Sequence, residues 1–217
     1  MSGRVLPWIC LFLGLMKFSS ACSCYMPRYQ NSFCNAEFAI TANVTSSKLF
    51  FRDGRSLSSY VQESVIPDRH QRLEYNYSID VLDIFKTTPT FETVDQNYVT
   101  SDAFDGSCGI ELSVGTVYYM TGYVREGHMV VSSCFTTAPF SELKAGHLEG
   151  IRGLYADNCK CRVNELMMEK WKKKKVCQAE WYSPCEEAQA VCVKRKGGKC
   201  VWRHIADEPC LLDDEDK

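Results

Sequence analysis

Residues 73–81 read Leu73-Glu74-Tyr75-Asn76-Tyr77-Ser78-Ile79-Asp80-Val81, and the alternation within them decides the fold class. Apolar side chains stand at every second position, separated by Glu74, Asn76, Ser78 and Asp80. Successive side chains of an extended chain point to opposite faces, so this pattern predicts a strand with one face buried and the other in water. Working outward, Phe38–Val44 (FAITANV) and Thr116–Val124 (TVYYMTGYV) are rich in the branched and aromatic residues that suit a pleated surface. Asn97–Ser101 and His128–Ser133 give two shorter strands, and Glu126-Gly127 predicts a tight hairpin before the last of them. Five such strands suit a small closed barrel better than an open sheet, because closure removes unpaired edges.

The connecting segments are less regular. Ser46–Arg72 reads as a long polar loop between the first two strands, with Phe50 and Phe51 at its start able to extend the ladder. Pro139–Tyr155 has helical spacing, with Ser141 as its cap and Leu148, Ile151 and Tyr155 on one face, although Gly146, Gly150 and Gly153 weaken it. Arg162–Lys175 (RVNELMMEKWKKKK) predicts a helix with Val163, Leu166, Met167, Lys170 and Trp171 at helical spacing.

The N-terminus carries Arg4, then the apolar run Val5–Met16, then small residues at Ser19, Ser20 and Ala21. That order is a secretory signal peptide with cleavage between Ala21 and Cys22. The apolar run is shorter than the about 20 residues a membrane span needs, so no membrane span is expected. A lipoprotein signal also places cysteine first but favours an aliphatic residue where Ser19 stands. Of 13 cysteines, removal of Cys10 with the signal leaves 12, an even number that reads as a disulfide framework of a secreted protein. The mature charge, 23 basic against 27 acidic residues, excludes a general nucleic-acid binder. Cys22, Cys24 and Cys34 crowd the start, whereas seven cysteines fall between Cys159 and Cys210. This distribution predicts a signal peptide over 1–21, a larger domain over 22–159 with its own core, and a small disulfide-rich domain over 160–217.

No constellation of an enzyme stands out. The chain has no His-Glu-x-x-His helix, no Gly-x-Ser-x-Gly elbow and no phosphate-cradling glycine loop. His70, His128, His147 and His204 share no ligand spacing and read as ordinary surface or core residues. The pairs Cys22-Ser23-Cys24 and Cys159-Lys160-Cys161 leave one residue between sulfurs, fewer than structural zinc sites favour, so disulfides are the better reading. No enzymatic activity and no cofactor of its own are therefore expected.

Cys-Ser-Cys-Tyr-Met-Pro (Cys22–Pro27) followed by Phe-Cys-Asn-Ala-Glu (Phe33–Glu37) resembles the start of the tissue inhibitors of metalloproteinases. The resemblance continues through Ser107-Cys108-Gly109, Tyr118–Gly122, Ser132–Pro139 and the pair Cys159 and Cys161. It implies a mainly β, five-stranded oligonucleotide-binding-type (netrin-like) barrel with flanking helices. It also implies the bridges Cys22–Cys108, Cys24–Cys134 and Cys34–Cys159, each worth about 4 kcal/mol by chain entropy before strain. In such inhibitors the α-amine and carbonyl oxygen of the first residue chelate the zinc of the target protease, displacing the water from its open position. The amine must be neutral to donate, and its ordinary pKa of about 7.7–8 allows that near neutral pH.

Carried onto this chain, the resemblance makes Cys22 the zinc-binding residue and sends Ser23 into the specificity pocket. Cys24, Tyr25 and Met26 would run along the cleft, and Asp105, Gly106, Ser107 and Cys108 would form the other half of the wedge. Tyr25 and Met26 depart from the small and proline residues usual there, which bears on protease preference. The C-terminal segment resembles the family less; Cys161–Cys200 and Cys177–Cys192 follow its pattern and leave Cys185–Cys210. The partners implied are matrix metalloproteinases and related zinc proteases in the extracellular space or matrix. A non-inhibitory netrin-like module binding matrix or receptors is the alternative. Lys172–Lys175 offers a site for matrix glycosaminoglycans, although a solvated helix end explains it too. Asp213–Asp216 is an acidic tail, and Asn43-Val44-Thr45 and Asn76-Tyr77-Ser78 are glycosylation sequons.

Overall fold

A computed structural model describes residues 22–24, 28–51, 73–164, 175–178 and 185–206. Its centre is the expected barrel. Strand β1 (Phe38–Phe51) pairs antiparallel with β2 (Leu73–Lys86) on one side and with β4 (Val117–Arg125) on the other. β2 pairs with β3 (Tyr98–Asp102), which lies parallel to β5 (His128–Val130), and β5 returns antiparallel to β4. The order β1-β2-β3-β5-β4 thus closes through the β4–β1 ladder, and β6 (Thr137–Pro139) adds to β4. Closing so few strands demands strong curvature, and the β1–β2 ladder supplies it with three register shifts, between Ala39 and Ile40, Thr41 and Ala42, and Val44 and Ser46. The hairpin at Glu126-Gly127 has positive φ at both residues, 52° and 81°, the twist that a two-residue connection requires.

Alternation delivers the core as expected. Phe38, Ile40, Ala42 and Val44 of β1 meet Tyr77 and Ile79 of β2, Val99 of β3, Met120 of β4 and Met129 of β5 inside the barrel. The opposite face of β1 and β4 is not left to water. Ala39 and Tyr119 pack beneath a helical layer containing Phe33, Leu143, Ile151 and Tyr155. That layer comprises α1 (Tyr29–Asn35), α2 (Ala145–Glu149), a π turn over Gly150–Leu154 and α3 (Tyr155–Asn158).

Three expectations about the connections are corrected. The polar segment from Ser46 does not begin a loop, because Ser46–Phe51 continue β1 and pair with Leu73–Ser78. The helix expected over Pro139–Tyr155 is broken: Thr137–Pro139 is strand, Phe140–Glu142 a 3-10 turn, and Lys144 rather than Ser141 caps α2. Gly153 then leaves helical geometry altogether, with φ 160°. The helix expected from Arg162 starts instead as β7 (Arg162–Asn164), parallel to β8 (Val176–Gln178). Residues 165–174 lie outside the described residues.

Beside the β7–β8 pair stands a separate two-stranded antiparallel sheet, β9 (Ala190–Lys194) with β10 (Cys200–His204), which follows the short helix α4 (Cys185–Gln189). Cys161, Val163, Cys177, Cys192 and Cys200 form a compact cystine core beside Trp202. Val191 of β9 reaches the helical layer over the barrel, so the two cores are connected. Among the described residues no helix is long and apolar enough to cross a membrane.

Candidate functional site: the disulfide-anchored N-terminal ridge

Cys22-Ser23-Cys24 has no secondary structure of its own, so covalent bonds must hold it. Cys22 is bridged to Cys108 and Cys24 to Cys134, with Cα–Cα distances of 4.9 and 5.0 Å. The loops they close span 86 and 110 residues, for which chain entropy gives about 4–5 kcal/mol each when taken singly. Cys34–Cys159, spanning 125 residues, fastens α1 to the end of α3. Cys161–Cys200 and Cys177–Cys192 close the C-terminal core. These are five of the six pairings expected; the sixth, Cys185–Cys210, which the others leave over, involves Cys210, which lies outside the described residues.

The four sulfurs of Cys22, Cys24, Cys108 and Cys134 lie within 4.8 Å of one another. Closed as two disulfides, they offer no thiolate to a metal. The nitrogen of Cys22 donates to the carbonyl of Gly106 at 2.6 Å, and Cys22 Sγ lies 3.5 Å from the Ser133 hydroxyl. Ser23 and Cys24 are exposed. The N-terminal segment is therefore pinned along the turn that follows β3.

That turn is built with little freedom. Asp105–Ser107 form one 3-10 turn ending at Cys108, which adopts left-handed geometry with φ 64°. The carbonyl of Phe104 accepts the N–H groups of Ser107 and Gly109 and the Ser107 hydroxyl, while Ser133 N–H bonds to Cys108 O at 3.0 Å. Gly109 passes so near the backbone carbonyls of Asp102 and Phe104 that a Cβ there would collide with both. Asp105 and Gly106 are exposed, and Ser107 and Cys108 are half-buried. Cys22, Ser23, Cys24, Asp105, Gly106, Ser107 and Cys108 thus share one ridge, while Tyr25 and Met26 lie outside the described residues. Two members escaped the sequence reading. Ser133 had a signal in the Ser132–Pro139 block, and Phe104, 50% exposed beside Asp105, had only its unusual exposure, which no sequence pattern announces.

Behind the ridge, α1 ties the segment to the rest of the protein. Gln30, 1% exposed, exchanges hydrogen bonds with the backbone of Cys192 (Nε2 to O 2.9 Å, N to Oε1 3.1 Å). Asn31 does the same with Val163 (2.7 and 3.0 Å), and Ser32 Oγ accepts Thr136 N–H at 2.7 Å. Tyr29 stacks on His147 with ring centroids 3.9 Å apart. Burial, helped by the Lys144 charge, lowers the His147 pKa to about 4, so the imidazole is neutral and its Nδ1 accepts the Lys144 N–H. His128 lines a depression on the barrel, and His204 is exposed on β10.

Sequence comparison places the ridge in a family. Residues 20–202 match the family described as tissue inhibitor of metalloproteinase, a span that includes every residue of the ridge. The chain belongs to this family. It is 24% identical over 204 residues to metalloproteinase inhibitor 3 of Scyliorhinus torazame, covering 90% of this chain and 86% of the relative. It is also 24% identical to metalloproteinase inhibitor 2 of Homo sapiens over 219 residues, covering 95% and 93%. The rat inhibitor 2 gives the same figures. Membership in a family of protease inhibitors agrees with the lack of an enzymatic constellation noted in the sequence.

Proposed function

We propose that this protein is a secreted inhibitor of zinc metalloproteinases and that its inhibitory group is the backbone of Cys22. Cleavage after Ala21 converts the Cys22 nitrogen from an amide, which cannot bind a metal well, into a primary amine. Only the first residue of a chain offers an α-amine and its own carbonyl oxygen together, two donors that suit the open position of a catalytic zinc. Deprotonated near neutral pH, the amine would supply one ligand and the carbonyl the other.

The observation that carries this reading is the double tether of Cys22 and Cys24 to Cys108 and Cys134. A chelating segment that is rigid before contact loses little entropy on binding, and two bridges three residues wide leave it little to lose. Ser23, exposed between them, is the residue for the specificity pocket; Tyr25 and Met26 would follow along the cleft. The half-exposed Phe104 adds apolar surface beside the Asp105–Cys108 turn. Family membership supports an inhibitor of metalloproteinases. We place the functional unit at 22–159, with 160–217 as the supporting C-terminal domain.

One alanine added before Cys22 tests the reading. The extension leaves every disulfide possible but removes the primary amine and blocks approach to the metal. The expected result is a loss of inhibition by at least about a hundredfold, or about 2.7 kcal/mol, with an unchanged melting temperature. Equal inhibition by both forms overturns chelation by Cys22, and inhibition by neither overturns the inhibitor reading.

A further inference from the structure

One feature of the outer barrel wall has no part in the ridge. The ends of β1 and the β4–β5 hairpin flank a depression of about 360 Å³, lined on one side by Phe50 and Phe51 and on the other by Arg125, His128 and Val130. That volume falls in the range of small-ligand sites, about 300–1,000 Å³, and the mixture of apolar wall and a few polar groups is typical of them. Asn76 lines it as well. Strand alternation fixes this placement: Tyr77 is fully buried in the barrel core, so its neighbours Asn76 and Ser78 must face outward. The carboxamide of Asn76 is held in an unusual state. Its Oδ1 is enclosed and finds no hydrogen-bond partner, while the residue as a whole is half-buried. Asn76 is also the first residue of the sequon Asn76-Tyr77-Ser78.

We propose that Asn76 carries an N-linked glycan and that this depression is the seat of its first N-acetylglucosamine. The apolar walls suit the C–H face of a sugar ring, which packs against aromatic side chains as other apolar surface does. Arg125, held 2.8 Å from Glu74, and His128 present donors to ring hydroxyls and to the acetamido carbonyl. Asn43, the first residue of the other sequon, sits mid-strand in β1 opposite Asp80 and Val117 and does not line the depression. Transfer precedes closure of the barrel. Asn76 Nδ2 bonds to C1 of the sugar, the C1–O bond to a polyprenyl pyrophosphate carrier breaks, the pyrophosphate leaves with its electron pair, and the amide loses one proton. The proposal rests on secretion of the chain and is independent of protease inhibition.

The test uses residues 22–217 secreted from insect or mammalian cells behind an unrelated signal peptide, so that the reading of residues 1–21 is not at stake. Glycan release with an amidase in ¹⁸O water converts each occupied asparagine to a labelled aspartate that mass spectrometry locates. Label at position 76 is expected in most of the secreted molecules. Release from the native protein should quicken about tenfold in Phe50→Ala, the scale of one lost aromatic contact. His128→Ala, on the opposite wall, should quicken it too and replaces Phe50→Ala if that variant is not secreted. An unlabelled Asn76 in the folded, secreted protein overturns the site. Native release that neither variant changes overturns the seat, leaving a glycan that merely projects into solvent.

Discussion

The backbone nitrogen of Cys22 donates to the carbonyl oxygen of Gly106 across 2.6 Å, joining the two halves of the ridge by main chain as well as by sulfur. The bond depends on where the 104–109 turn lies, and two glycines of that turn should respond to substitution in opposite ways. At Gly106 an added Cβ meets nothing within 4 Å. At Gly109 it meets the backbone carbonyls of Asp102 and Phe104, which cannot rotate away as a side chain would. Gly106→Ala should therefore change stability by less than about 0.5 kcal/mol, while Gly109→Ala costs about 2–4 kcal/mol and displaces the ridge. Thermal unfolding of both variants checks the contrast; equal melting temperatures would show that the turn is looser than its geometry implies.

Ser23 separates binding from folding. It is exposed between two bridged cysteines and no part of either core contains it. Ser23→Gly should leave the melting temperature unchanged and shift inhibition constants across a panel of metalloproteinases by about tenfold for some members, the size of a small change in a specificity pocket. Constants that move uniformly, or not at all, would count against its placement in that pocket.

Much of the barrel was legible because the information is local. Leu73–Val81 alternates without interruption, and every residue from Leu73 to Val81 is in β2. What escaped is decided by distant partners. Ser46–Lys48 is too polar to announce a strand, but β2 is already committed opposite it and offers a ladder. Arg162–Asn164 has helix-forming neighbours, yet Asn31, 132 residues away, satisfies both backbone groups of Val163, and Cys161 and Cys177 hold the segment at its pairing distance. α1 lacks a side-chain cap at its start, and its last carbonyls, Phe33 and Cys34, are taken by Lys86 Nζ at 2.8 and 2.9 Å. No window along the sequence contains that lysine and that helix together. The ridge shows the same division. Its cysteines stand out in the sequence, whereas Phe104 and Ser133 join it only through the fold.

Gln30 offers a measure of those long-range contacts. Replacing it with leucine would keep its volume and strand the Cys192 N–H and the carbonyls it serves inside the protein. Buried groups left unpaired cost about 1–3 kcal/mol each, partly relieved by local shifts, so a loss of about 2–3 kcal/mol is expected. At about 2–4 °C per kcal/mol for a chain of this size, the melting temperature should fall by about 5–10 °C with all bridges intact. Gln30→Glu should be no better, because it keeps the acceptor for Cys192 but turns a carboxylate toward three carbonyls. A glutamate variant as stable as the native protein would show that the acceptor half alone holds the junction.

His147 gives the fold an acid-sensitive point. Its folded pKa is lowered to about 4, chiefly by burial against Tyr29, with the Lys144 charge adding to the effect. In the unfolded chain it titrates near 6.5. Between those values the unfolded state binds the proton and the folded state does not, so stability rises with pH across the window and is lost as pH falls from about 6.5 to about 4. The shift corresponds to about 3 kcal/mol at most. Denaturant unfolding at pH 7 and pH 4.5 should show this loss in the native protein, and His147→Asn, which keeps an acceptor for the Lys144 N–H without a titrating group, should remove most of it. If the variant retains the full pH dependence, the loss belongs to carboxylates elsewhere and the imidazole takes up its proton as readily in the folded chain as in the unfolded one.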